Sequence, residues 1–197
     1  GSNHPMPQIP NRAGTPVDDK IADYIIPMIE DGSTLQLGIG GIPSAVGRKL
    51  AESDVKDLSG HTEMLVDSYV DLYEAGKITG QKNRDKGKII YAFAGGTQRL
   101  YDFINDNQIV FNAPVSYVNN VGVVASIDKF ISINGCIDLD LYGRHIAPAL
   151  GATVRFVGSE PTDALTCRYN KLMQATLPNV RVMQRYEVDG EPVSASR

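Results

Sequence analysis

Three short runs in this sequence bring together residue types that could do chemistry. Gly38-Ile39-Gly40-Gly41 follows a short apolar run and precedes a stretch with helical spacing. Glycine lets the backbone take positive φ and lets a ligand come close to the main chain. The amides that open the following helix favour negative charge. Such a loop could hold a phosphate or the oxyanion of a tetrahedral intermediate, or be a tight turn and nothing more. It is not the dinucleotide fingerprint, because Pro43 stands where a third glycine is expected. It is not a P-loop, because no Gly-Lys-Ser/Thr follows. Gly95-Gly96-Thr97 is a second strand-to-helix glycine turn. The third run is His61-Thr62-Glu63-Met64. A carboxylate beside Met64, Leu65 and Val66 is costly to bury unpaired. Glu63 is either solvated at a strand edge or a nucleophile facing the crevice at strand ends, where α/β sheets bind ligands. His61 reads as a surface or packing histidine before a catalytic one.

The elements that must position these runs follow from punctuation and periodicity. Residues 3–16 hold Pro5, Pro7, Pro10, Gly14 and Pro16 and read as an extended linker. Gly1-Ser2 reads as a cloning remnant. Thr15-Pro16-Val17-Asp18 is a helix start: Thr15 can cap, Pro16 suits the first position and Asp18 the positive end. Ile21, Ile25 and Ile29 give that helix one apolar face, and Pro27 should kink it. Strands are expected at 34–37, 63–66, 88–93, 109–111, 129–133, 137–141, 154–157 and 180–183. Helices are expected at 44–51, as a turn at 72–75, after a Thr97 cap, and at 162–175. Strands alternating with helices predict the α/β class, with a mainly parallel sheet flanked by helices.

Composition narrows the function. The chain has 197 residues, with 42% apolar and 21% charged, ordinary values for a globular protein. Nineteen Lys and Arg against 23 Asp and Glu give a net charge of −4. With no Lys/Arg cluster, nucleic acid is not an expected partner. No apolar run approaches the roughly 20 residues of a membrane span, and no membrane partner is expected. Two cysteines, Cys136 and Cys167, are too few for a disulfide framework, so a reducing, cytoplasmic setting is expected. Three scattered histidines and two distant cysteines have no metal-ligand spacing, so no metal is expected.

Several motifs then agree in order. They are Leu35-Gln36-Leu37-Gly38-Ile39-Gly40-Gly41-Ile42-Pro43, His61-Thr62-Glu63-Met64, and Tyr91-Ala92-Phe93-Ala94-Gly95-Gly96-Thr97 with Leu100-Tyr101-Asp102-Phe103. Ile131-Ser132-Ile133-Asn134 then leads into Ile137-Asp138-Leu139-Asp140-Leu141-Tyr142-Gly143. On these residues the stretch 3–143 resembles the C-terminal half of the acetyl-CoA hydrolase/transferase family, of the 4-hydroxybutyrate and butyrate:acetate CoA-transferase kind. The resemblance implies a CoA-transferase-like domain of the NagB/RpiA type and Glu63 as the catalytic nucleophile. The glutamate would attack an acyl-CoA thioester and pass through a glutamyl-CoA thioester before a carboxylic acid takes over the CoA. It also implies coenzyme A, as acyl-CoA substrate, and a small carboxylic acid as partners. Gly38, Gly40, Gly41, Gly95, Gly96, Asn119 and Asn120 would be substrate- or CoA-binding residues. Val121 stands where the family's loop has proline.

Family members carry an N-terminal CoA-transferase domain ahead of this stretch and a further glycine-rich loop after it, and neither is in this sequence. From about His145 the chain is similar instead to citrate lyase ligase, on Ile146-Ala147-Pro148, Phe156-Val157-Gly158-Ser159-Glu160-Pro161, Tyr169-Asn170 and Glu191-Pro192-Val193-Ser194-Ala195-Ser196-Arg197. The expected organisation is a tag and linker over 1–16, a CoA-transferase catalytic-type domain over 17–143, and an αβ tail over 144–197. The chain reads as a fragment or a hybrid. A domain without its usual companion exposes apolar surface, so a homo-oligomer is expected. Two other functions fit the same residues: a non-catalytic module binding CoA or a nucleotide through the glycine loops, and a degenerate adenylyltransferase-type piece.

Overall fold

The computed structural model describes residues 5–9 and 14–135, and the backbone of four strands at 155–158, 180–183, 187–188 and 191–192. The chain divides into two compact units, Gly1–Gly135 and Cys136–Arg197. The strand expected at 137–141 and the helix expected at 162–175 lie outside the described residues.

The first unit is built on a five-stranded parallel sheet. Its strands are β1 (Thr34–Leu37), β2 (Ser59–Leu65), β3 (Ile89–Ala94), β4 (Val110–Asn112) and β5 (Phe130–Ile133). Their order is β4-β3-β2-β1-β5, and every pairing is parallel. The helices are α1 (Pro16–Ile25), α2 (Gly41–Glu52), α3 (Asp67–Glu74), α4 (Gln98–Ile104), α5 (Val115–Val118) and α6 (Val121–Ala125). The α/β reading with helices flanking a parallel sheet is therefore the fold.

Helix α1 starts where its chemistry directs. Asp18 N–H donates to Thr15 Oγ1 at 3.3 Å, and Thr15 N–H donates to Asp18 Oδ2 at 2.7 Å. This reciprocal pair satisfies two amides that no helical bond reaches. The helix stops at Ile25 and tightens into a 3₁₀ turn, Ile26–Met28, that contains Pro27. A ring with no N–H cannot continue the α ladder there.

The main core joins β1–β3 to α1–α4. It holds Leu35, Leu37, Ala45, Val46, Leu50, Leu65, Tyr69, Leu72, Ile89 and Leu100. Tyr69 is buried at its centre, and its hydroxyl serves β1 directly. It accepts from Leu37 N–H at 2.9 Å and donates to the Leu35 carbonyl at 3.0 Å. A second, small cluster of Ile90, Ala113 and Val118 packs α5 onto β3.

In the second unit, β6 (Arg155–Gly158) pairs parallel with β7 (Val180–Met183). Both strands lie where the sequence puts them, within one residue. Glu187–Val188 (β8) pairs antiparallel with Glu191–Pro192 (β9).

Candidate active site

Glu63 sits near the C-terminal end of β2, a strand inside the sheet, and its side chain is exposed. The strand begins earlier than the apolar pattern suggests, at Ser59. Ser59, His61 and Thr62 are all buried. Gly60 explains part of this: a β-carbon there would stand 2.7 Å from Ile89 and 3.1 Å from the Tyr69 ring. Buried polar groups need partners, and tertiary contacts supply several here. Ser59 Oγ accepts from Lys82 N–H at 3.2 Å, and His61 Nε2 lies 2.8 Å from the Val118 carbonyl oxygen.

Asn119, 56 residues further on, reaches Glu63. Its Nδ2 donates to Glu63 Oε2 at 2.7 Å. Asn119 closes the single turn of α5, which rests on β2 and β3 through Val118. The next residue has a different task. Asn120 caps α6, its Oδ1 accepting from Val123 N–H at 3.1 Å. Val121 is the first residue of α6. That position tolerates proline well because its N–H is unpaired in any case. Valine fits there too, so the departure from the family's proline leaves the segment folded.

The two glycine turns lie at the C-terminal ends of β1 and β3, on either side of β2. Gly40 takes φ of +118° and forms the N-cap of α2, a conformation that favours glycine. Gly38 and Gly41 are there for room. A β-carbon on Gly38 would stand 2.3 Å from Asn134 Oδ1, and one on Gly41 would stand 2.4 Å from the Asp18 carboxylate. Beside this loop Gln36 and Asn134 interlock, Gln36 Nε2 donating to Asn134 Oδ1 at 3.1 Å and Asn134 Nδ2 to Gln36 Oε1 at 2.7 Å.

Gly95 lies between Met64 and Ile9, and a β-carbon there would stand 2.4 Å and 2.9 Å from their side-chain ends. It thus brings the second turn against the residue that follows Glu63. The N-terminal arm crosses this turn: Ile9 N–H donates to the Gly96 carbonyl at 2.9 Å, and Tyr101 Oη to the Pro7 carbonyl at 2.7 Å. Gly96 abuts the carboxylate of Asp67. Thr97 stands at the N-cap of α4 as expected, but its side chain makes no cap bond within its own helix. Its hydroxyl and its N–H both donate to Asp67, the N–H at 3.0 Å. A buried carboxylate of the chain itself thus occupies the positive end of α4.

Sequence reasoning missed Asp67, Gln36, Asn134 and the docking of the arm. Asp67 had a signal, an acidic residue at the first helical position after a strand. The other contacts join residues about 90 or more positions apart, which no local pattern reports.

Burial sets the electrostatics around His61. Its imidazole is held below the usual histidine range, chiefly by burial, while the Val118 carbonyl pulls the other way. Lys82, also buried, is lowered to about 8 by loss of hydration. Among the described residues no group of three or more His, Cys, Asp or Glu could hold a metal ion.

The sequence is 54% identical over 140 residues to butyryl-CoA:acetate CoA-transferase of Anaerostipes caccae, covering 71% of this chain and 31% of the relative. The citrate lyase ligase C-terminal domain family matches residues 122–197. That match reaches back past His145, through β5 and into α6 of the first unit. The citrate (pro-3S)-lyase ligase of Klebsiella pneumoniae is 46% identical over 69 residues, 31% of this chain and 20% of that protein. Among solved structures, 4-hydroxybutyrate CoA-transferase from Porphyromonas gingivalis superimposes with a TM-score of 0.69 at 32% identity. It covers 82% of this chain and 43% of its own. The chain spans about a third of the length of the curated CoA-transferases it matches. In sequence and in fold the chain is thus similar to the butyrate and 4-hydroxybutyrate CoA-transferases over its CoA-transferase-like first unit, and it continues into a segment similar to citrate lyase ligase.

Proposed function

We propose that this chain is the nucleophile-bearing part of an acyl-CoA:carboxylate CoA-transferase, with Glu63 as the nucleophile. The observation that carries this reading is the state of Glu63. It is an exposed carboxylate on an inner strand, near the strand's C-terminal end, with Oε2 held by Asn119. A carboxylate is a weak nucleophile unless it is aimed and stripped of water. Asn119 supplies the aim.

Glu63 attacks the thioester carbonyl of an acyl-CoA, forming an acyl-glutamyl anhydride and releasing CoA thiolate. The thiolate then attacks the glutamyl carbonyl, which gives glutamyl-CoA and frees the first acid. An incoming carboxylate attacks glutamyl-CoA, again giving an anhydride and the thiolate. The thiolate takes the new acyl group, and Glu63 returns as a carboxylate. Each step passes through an oxyanion, and where the glutamyl carbonyl is attacked the Asn119 amide, which already donates to Glu63 Oε2, serves as its donor. The amides of Gly40 and Gly41 serve CoA or the acyl group at the end of β1, and Gly38, whose own N–H is taken by the Ile133 carbonyl, lets the ligand come close to the main chain. Gly95 and Gly96 border the same edge, although the arm and Asp67 already use their surroundings.

The partners of this reading are an acyl-CoA, a small carboxylic acid, the N-terminal CoA-transferase domain of the longer relatives, and a second copy of the chain. Ile39, Phe93 and Val121, all exposed, support burial against such a partner. Cysteine usage and an acyl-CoA substrate support a cytoplasmic setting.

Incubation with butyryl-CoA or acetyl-CoA, borohydride trapping and intact-mass measurement test the reading. A CoA thioester or its reduced product on the peptide holding Glu63 is expected, and Glu63→Gln should lose it. Labelling of a folded Glu63→Gln chain would move the nucleophile elsewhere. The family match over residues 122–197 favours a second reading, an adenylyltransferase-type segment. That reading requires ATP binding that weakens on Arg197→Ala.

A further inference from the structure

Strand β2 and helix α5 are joined by two rungs. His61 Nε2 lies 2.8 Å from the Val118 carbonyl oxygen, and Asn119 Nδ2 lies 2.7 Å from Glu63 Oε2. His61 and Glu63 are two positions apart on one strand. Val118 and Asn119 are neighbours at the end of one helix. Any slip of α5 along β2 would strain both rungs together.

The chemistry fixes the state of the imidazole. A carbonyl only accepts, so Nε2 carries the proton. In the neutral ring Nδ1 is then a bare acceptor, and it has no hydrogen-bond partner among the described residues. The ring is 1% exposed, with Tyr117 and Phe130 at centroid distances of 6.3 Å and 6.2 Å. Ile90 stands beside it in register on β3.

We propose that His61 is a positioning residue for Glu63. Its neutral imidazole holds the Val118 carbonyl, which sets the reach of Asn119, which aims the Glu63 carboxylate. This rests on the reading of Glu63 as the nucleophile. Helix α5 needs such an anchor because a helix of one turn has almost no stability of its own. Tyr117 anchors α5 as well, its hydroxyl donating to Asp85 Oδ2 at 2.9 Å and accepting from Arg84 Nε at 3.0 Å. That contact ties the helix to the segment before β3. The His61 rung ties it to the strand that bears Glu63.

The groups facing the ring define its response to acid. Lys82 and Arg84 oppose a positive imidazole, and Asp85 favours one. Tyr117 on α5 and Glu63 on the same strand complete the set, and Phe130 brings no charge. A proton on Nδ1 would leave the Nε2 bond in place but put an unpaired charge in a buried site. Opening of the site to hydrate that charge is the expected response. Acid should therefore loosen α5 from β2.

The test uses wild type, His61→Phe and His61→Gln, with two measurements between about pH 5 and pH 8. One is the rate of CoA labelling at Glu63. The other is the side-chain amide resonance of Asn119 by NMR, which needs no turnover. In wild type, labelling should fall on the acid side, and the Asn119 signal should move with the same midpoint. His61→Phe should label roughly tenfold to a hundredfold more slowly. His61→Gln, which keeps an N–H donor, should recover most of the rate and lose the acid limb. Labelling of His61→Phe at the wild-type rate, or an Asn119 signal that ignores the His61 titration, would overturn the proposal. If wild type takes no label, the nucleophile reading fails and the Asn119 resonance alone decides the role of His61. If His61→Phe does not fold, the pH profiles of the other two proteins decide it.

Discussion

Thr97 donates both its backbone N–H and its hydroxyl to the carboxylate of Asp67, 30 residues earlier in the chain. Asp67 opens α3 and Thr97 stands at the N-cap of α4, so one buried carboxylate joins the starts of two helices. Asp67→Ala would leave two donors without an acceptor. Bonds to a charged acceptor contribute about 1.5–3 kcal/mol each, so a loss of about 3 kcal/mol is expected in urea denaturation. A loss below about 1 kcal/mol would show that water replaces the carboxylate easily.

Tyr69 makes a comparable prediction in the core. Tyr69→Phe keeps the ring and removes the hydroxyl that serves Leu35 and Leu37. The strand then has a buried N–H with no partner, at a cost of about 1–3 kcal/mol. Faster exchange of the Leu37 amide should accompany the loss. An unchanged amide would mean the strand finds another partner.

At the candidate site the expectation reverses. Asn119→Ala touches an exposed pair and should leave stability within about 0.5 kcal/mol of wild type. Labelling of Glu63 by acyl-CoA should slow about 10- to 100-fold, through loss of both aim and oxyanion donor. Equal rates in the two proteins would remove Asn119 from the chemistry.

Lys82 predicts a rise of stability with alkali. Its ammonium donates to the Gly60 carbonyl at 3.2 Å and to the Lys88 carbonyl, and burial lowers it to about 8 from an ordinary 10.5. Below about 8 the amine is charged in both states and the burial penalty is complete. Between about 8 and 10.5 the unfolded chain binds more protons than the folded one, so stability rises with pH. Lys82→Met should flatten that rise in denaturation curves taken from neutral pH to about pH 10. Parallel slopes for the two proteins would place the ammonium in water.

The arm gives a kinetic prediction. Gly95→Ala would press on Met64 and Ile9, both flexible side-chain ends. Global stability should change by less than about 1 kcal/mol, while limited proteolysis within residues 5–9 should quicken. Unaltered cleavage would show that the arm is held elsewhere.

Much of the fold was legible where local chemistry decides it. The Thr15–Asp18 start of α1, the strand at 34–37 and the strand at 180–183 follow from residue type alone. The first half of β2 was not legible, because Ser59, Gly60, His61 and Thr62 carry no apolar pattern. They are buried by partners outside the strand, namely Tyr69 on α3 and, farther along the chain, Lys82 and Val118. Helices α5 and α6, of four and five residues, are too short for periodicity to register. Glu63 came from a shared motif rather than from its own surroundings. The Asn119 bond that gives it geometry exists only once β2 and α5 meet.

Strand β5 pairs with β1, although 92 residues separate the end of one from the start of the other. During synthesis β1 must therefore wait with one backbone edge unpaired until residues 130–133 emerge. An open edge is where a nascent chain pairs with the wrong strand. The loop after β1 waits as well, because Gly38 N–H is satisfied by the Ile133 carbonyl at 2.9 Å. The glycine loop thus reaches its final form only when the last strand of the unit is in place, so the birth of the site coincides with the closing of the sheet.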